Sequence, residues 1–139
     1  MLVNMSETIL DSNGLNHVIN FNKLRTNPII IDAGAAVGNF IIEIQKEKNI
    51  NPIIYAIECS KTNIDNFKKN HFNNVILIEK ALTNKADDSI FFVEFSGEMK
   101  EDGNKRYYQW GNVNGLYEES LKLQKSVQIT KYKVNTITL

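Results

Sequence analysis

The sequence predicts an α/β chain: half of an open, doubly wound parallel sheet with an antiparallel extension. Three observations carry this. Ile29-Ile30-Ile31 and Ile53-Ile54-Tyr55-Ala56-Ile57 are uninterrupted apolar runs, which suit strands buried on both faces of a parallel sheet. Each run is followed by a segment of helical period, and Val75-Ile76-Leu77-Ile78 continues the alternation as a third strand. Beyond residue 88, two strand-like segments (89–95 and 127–134) are expected to pair antiparallel.

Taken in order, residues 1–27 read as a lead-in of one or two short helices. Ile9, Leu10, Val18, Ile19 and Leu24 are loosely spaced at helical intervals, and Asn13-Gly14 breaks them. Pro28 then precedes the first strand, which ends in the small-residue turn Asp32-Ala33-Gly34-Ala35-Ala36-Val37-Gly38. A helix is expected from Asn39 to Lys48, with Phe40, Ile41 and Ile44, and Ile42 as a further candidate, supplying its buried stripe, and Asn51-Pro52 ends it. The second strand ends at Glu58. Ser60 or Thr62 can cap the next helix, which runs to about His71 with Ile64 and Phe67 on one face. Residues 28–80 thus read strand, helix, strand, helix, strand, with right-handed crossovers. Asn84 to Asp88 is turn-like, and residues 96–125 are polar, glycine-bearing and expected to be irregular. The domain division that follows is a lead-in over 1–27 and a single α/β domain over 28–139.

Composition narrows the class. The chain has 139 residues, enough for one domain or a piece of one, and its 42% hydrophobic content is too high for wholesale disorder. Sixteen basic residues balance sixteen acidic ones, so the basic excess of a typical nucleic-acid binder is absent. One cysteine excludes an internal disulfide framework and fits a reducing compartment. No apolar run approaches the ~18 residues of a membrane span, and the N-terminus has no signal-peptide core. A soluble, cytoplasmic chain with neither nucleic acid nor membrane as partner is the expectation.

The chemistry concentrates at the first strand-to-helix turn, where open α/β sheets hold their ligands. Gly34-Ala35-Ala36-Val37-Gly38 matches the dinucleotide fingerprint poorly. Asp32, two residues before the first glycine, would repel a pyrophosphate; a bare unit pair at ~4 Å is worth on the order of 1 kcal/mol even in water. A carboxylate there suits a ligand with a cationic end, such as S-adenosylmethionine. Glu58 at the tip of the second strand can accept hydrogen bonds from both ribose hydroxyls, a role that adenosyl and dinucleotide ligands share. Asp32 together with the turn, rather than Glu58 alone, discriminates.

IIIDAGAAVGNF, IIYAIECSKTNIDNFKKN, NVILIEKALTNKADDSIFFV and KYKVNTITL, in that order, resemble the FkbM-type methyltransferases over residues 27–139. These are class I, S-adenosylmethionine-dependent enzymes that typically O-methylate sugars or related small molecules. The resemblance implies the N-terminal half of a Rossmann-like class I sheet with an antiparallel extension. It implies that Asp32, Gly34, Ala36 and Gly38 form the cofactor turn, that Glu58 holds the ribose, and that Ala81 and Leu82 border the adenine. Ala36 stands where the family commonly has Asn, and Cys59 where it commonly has Pro. The family also continues into a fourth core strand and further C-terminal elements that this sequence lacks. That strand pairs with the first, so residues 29–32 are expected on an exposed apolar edge. The chain then reads as a fragment, a split gene product, or the partner of a complementing chain or second copy.

Plainer readings stand beside these. Gly34 and Gly38 can merely tighten a turn, and Glu58 alone can be a solvated strand-end acid. Cys59 reads as a space-filling residue, and His17 and His71 lack metal-ligand spacing. Asp87-Asp88 reads as a turn, and Lys122, Lys125, Lys131 and Lys133 as a solvated face. Trp110 with Tyr107 and Tyr108 is either an acceptor-pocket lining or a packing cluster. The rival functions are a non-catalytic cofactor-binding or interaction module of the same fold and, less well supported, a dinucleotide binder. The general base is not legible.

Overall fold

The computed structural model describes residues 8–12, 15–85, 88–101, 104–113 and 127–139, with side-chain surroundings over 18–85, 88–94 and 128–139. It is mixed α/β and divides into two compact units, Met1–Glu79 and Lys80–Leu139.

The first unit opens with a correction. The lead-in holds no α-helix among its described residues. β1 (Thr8–Ser12) and β2 (Leu15–Ile19) form an antiparallel hairpin, followed by one 3-10 turn at Phe21–Lys23. Ile9 pairs with Val18 and Thr8 with Ile19, so the loosely spaced apolar residues meet across strands rather than along a helix. The two residues between the strands are Asn13 and Gly14, the pair most favoured in two-residue hairpin loops.

β3 (Ile29–Ala33), β4 (Ile53–Ile57) and β5 (Val75–Ile78) form the expected parallel sheet, in the order β3-β4-β5. α1 (Asn39–Gln45) and α2 (Lys61–Phe67) connect them. Both helices end earlier than their apolar spacing suggests, because their last turns tighten. Lys46 N–H donates to Glu43 O and Glu47 N–H to Ile44 O; Lys69 and Asn70 repeat the pattern on Asn66 O and Phe67 O. Ser60 is the N-cap of α2, its Oγ accepting from Asn63 N–H at 3.1 Å.

The core lies on one face of this sheet. Ile41 and Ile44 of α1 and Phe67 of α2 pack on Ile54 and Ala56, with Ile30, Val75 and Leu77 from the same face and Ile19 and Phe21 from the lead-in. The opposite face departs from expectation. The isoleucine run was expected to be covered on both sides, but β3 alternates: Ile29 is 69% exposed and Ile31 50%, and Ile53 and Ile76 on the neighbouring strands are also exposed. Among the described residues, β3 is an edge strand with β4 alone beside it in its sheet.

The second unit holds β6 (Ala81–Leu82), β7 (Ser89–Glu101), β8 (Asn104–Val113) and β9 (Val127–Ile137), in the sheet order β6-β9-β7-β8. β7 and β9 pair antiparallel as expected, with Phe92 opposite Tyr132. The segment 96–113 is not irregular: β7 runs on to Glu101 and returns as β8. Asp102 and Gly103 separate the two strands, a second hairpin signal of the same kind as Asn13-Gly14. No helix of the described residues is long and apolar enough to cross a membrane.

Candidate functional site

The carboxyl ends of β3 and β4 bring two acids to one place. Asp32 stands in register with Ala56, and Glu58 lies two residues beyond Ala56, so both belong to the helix-covered face. Asp32 is half-buried and its Oδ2 atom is buried. Glu58 is 8% exposed, which is rare for an acid unless its carboxylate is satisfied.

Three backbone amides satisfy it. Glu58 Oε1 accepts from Cys59 N–H at 2.8 Å and Ser60 N–H at 2.7 Å, and Oε2 accepts from Ala36 N–H at 2.8 Å. The acid therefore ties the β3–α1 turn to the start of α2. Two more bonds tie that turn to β4: Gly34 N–H and Ala35 N–H both donate to Ile57 O, at 2.9 and 3.1 Å. Gly38 N–H closes the turn on Ala35 O at 2.8 Å. Ala36 is held at a φ of 49°, a left-handed conformation unusual for a residue with a side chain.

The two glycines differ. Gly34 has a φ of 80°, and a Cβ there would meet nothing within 4 Å, so the backbone presents an open surface. Gly38 has a φ of 89°, and a Cβ there would lie 2.5 Å from Phe72 Cζ and 3.1 Å from Phe67 Cε2. Gly34 suits close approach by a ligand, whereas Gly38 is required by the rings packed over it. The two rings themselves sit 4.8 Å apart between centroids.

The donor set suits some ligands better than others. A pyrophosphate needs free backbone N–H groups, and four of those in this turn (Gly34, Ala35, Ala36 and Gly38) are bonded within the protein. Two carboxylates beside an open glycine fit a ligand with a cationic end and hydroxyl groups.

The other residues singled out fall as follows. Ala81 and Leu82 form β6 of the second unit, paired with Thr136 and Ile137. Cys59 is half-buried at the start of α2. His71 is exposed, and no cluster of metal-binding side chains occurs among the described residues. Asp88 Oδ1 accepts from Ser89 N–H, and its own N–H donates to Thr136 Oγ1, a turn closed onto β9. Lys131 and Lys133 are exposed and lie over the Phe91 ring, 5.2 and 5.8 Å from its centroid. Asp87, Lys122 and Lys125, and the side chains of His17, Tyr107, Tyr108 and Trp110, lie outside the described part of the molecule. The residue whose role sequence reasoning missed is Ala36. Its side chain carries no signal; its amide, reached from 22 positions away, is what matters.

Comparison of the chain with protein-family models, with curated proteins and with solved structures finds no match.

Proposed function

We propose that this chain is an S-adenosylmethionine-dependent methyltransferase domain of the FkbM type. Its acceptor is the hydroxyl of a sugar or other small molecule in the cytoplasm, and its sheet is the N-terminal half of a class I, Rossmann-like fold. The observation that carries the reading is the pair of strand-end acids, Asp32 and Glu58, around a turn whose amides are already bonded internally. Such a turn offers little to phosphate and much to a cationic nucleoside. In this reading Asp32 attracts the cationic end, Glu58 receives the ribose, and Gly34 leaves room for close approach. Ala36 and Gly38 shape the turn. The bound donor supplies an electrophilic methyl group on its sulfonium. The chain contributes orientation, which for a displacement of this kind is the larger part of catalysis.

Calorimetric titration with S-adenosylhomocysteine and, separately, with NAD tests this. Binding of S-adenosylhomocysteine, weakened roughly tenfold or more in both Asp32→Ala and Glu58→Ala, is the expected result, given the usual strength of hydrogen bonds to charged groups. Binding of NAD alone, or unchanged affinity in both variants, removes the site.

A second reading has its own observation. The open β3 edge, with Ile29 and Ile31 exposed, favours a non-catalytic module that pairs with a complementing chain or a second copy. Transfer of a labelled methyl group to a panel of sugars separates the two: the module reading expects none.

A further inference from the structure

We infer that Asn70 is a positioning residue: its side-chain amide holds the peptide between Val37 and Gly38, and with it the turn that carries the ligand in the methyl-donor reading above. The turn needs holding from outside. Gly34, Ala36 and Gly38 all have positive φ, at 80°, 49° and 89°. A residue with a side chain stays in that region only where its surroundings fix it, and glycine takes either sign of φ about equally readily. The backbone of Gly38 therefore does not choose its own conformation.

Two hydrogen bonds choose it, one on each edge of a single peptide plane. Gly38 N–H donates to Ala35 O at 2.8 Å, and Val37 O accepts from Asn70 Nδ2 at 3.0 Å. Val37 precedes the N-cap Gly38, so its carbonyl stands outside the ladder of α1. Turning this peptide over would break both bonds and carry Gly38 out of the left-handed region. Asn70 can serve here because its own backbone is fixed: its N–H donates to Phe67 O at 3.0 Å, in the tightened last turn of α2. Glu58, before α2, holds the Ala36 N–H of the same turn. The two flanks of α2 thus grip the turn at two peptides, one before Ala36 and one after Val37. Asn70 is exposed, so water can replace its bond to Val37 O at little cost in stability. What water does not replace is the fixed direction of that carbonyl.

The experiment compares the unmodified chain with Asn70→Ala and Asn70→Asp; the second keeps the shape of the side chain and loses its donor. Amide exchange followed by NMR is read at Gly38 and, as controls, at Ile54 and Glu58, whose N–H groups donate to Asn74 O and Ile78 O across the sheet. Affinity for S-adenosylhomocysteine is read by calorimetry. In both variants exchange at Gly38 is expected to rise about fivefold or more, the worth of one net hydrogen bond, with Ile54 and Glu58 unchanged. Binding is expected to weaken about fivefold in both. Unchanged exchange at Gly38, an equal rise at all three amides, or an Asn70→Asp chain that matches the unmodified one overturns the inference, and so does undiminished binding by both variants. Each of these results leaves the methyl-donor reading standing, because S-adenosylhomocysteine still binds the unmodified chain. Its failure to bind that chain overturns the methyl-donor reading, and the ligand half of this inference with it.

Discussion

Gly34 and Gly38 share a backbone conformation and differ in what surrounds them. Both have φ near 80–90°, where a Cβ clashes with the following carbonyl at about 1–2 kcal/mol. At Gly34 that is the whole penalty, because the space beyond is open. At Gly38 the Cβ also meets Phe72 and Phe67, and overpacking of this kind adds about 1–3 kcal/mol. Urea denaturation is therefore expected to show Gly38→Ala losing more stability than Gly34→Ala; equal losses would mean that Phe72 moves aside freely. In ligand titrations the order reverses. Gly34→Ala places a methyl group on the open surface and weakens binding, whereas a Gly38→Ala chain that folds binds as before.

At the scale of elements, α1 has two distinct sides within one seven-residue helix. Ile44 is fully buried against the sheet, while Ile42, two residues earlier, is 39% exposed. Truncating a buried isoleucine costs about 2–5 kcal/mol, and an exposed one changes stability by only about 0.5 kcal/mol. Ile44→Ala is expected to fall in the first range and Ile42→Ala in the second, measured by chemical denaturation. Comparable losses would place Ile42 in a contact that this fold lacks. The strands of the parallel sheet were legible because β-branched runs do not suit a surface helix. The two hairpins were not read, although Asn13-Gly14 and Asp102-Gly103 each stand between paired strands. Loose apolar spacing resembles a helical period when the strands are short. In 96–113 polar residues and glycines interrupt the apolar alternation that marks a strand, so the end of β7 and all of β8 were hidden.

Across the whole molecule, the feature with the largest physical consequence is the group of exposed isoleucines on the second face of the parallel sheet. Ile29 and Ile53 stand side by side, and Ile31, Tyr55 and Ile76 form the next row. β3 carries no lysine or internal proline of the kind that blunts an edge, and a net charge of zero supplies no long-range repulsion between copies. The chain is expected to self-associate at micromolar concentrations, read by sedimentation velocity. Ile31→Lys is expected to reduce that association while changing stability by only about 0.5 kcal/mol, since the position is half-exposed. Association unaffected by Ile31→Lys would place the contact elsewhere.

The sequence by itself determined the order of strands and helices from Pro28 to Ile78, and the position of an acid at the end of each of the first two strands. These are local properties, encoded in apolar period and in turn residues a few positions apart. Only the tertiary structure decided what those acids face. The amide that engages Glu58 belongs to Ala36, 22 residues earlier, and the rings that require a glycine at position 38 come from α2 and the segment after it. It likewise decided that one face of the isoleucine strands is covered, while on the other Ile29, Ile31, Ile53 and Ile76 are exposed and Ile57 is buried. A run of β-branched residues states that a strand can be buried on both sides; whether anything lies there depends on elements far away in the chain.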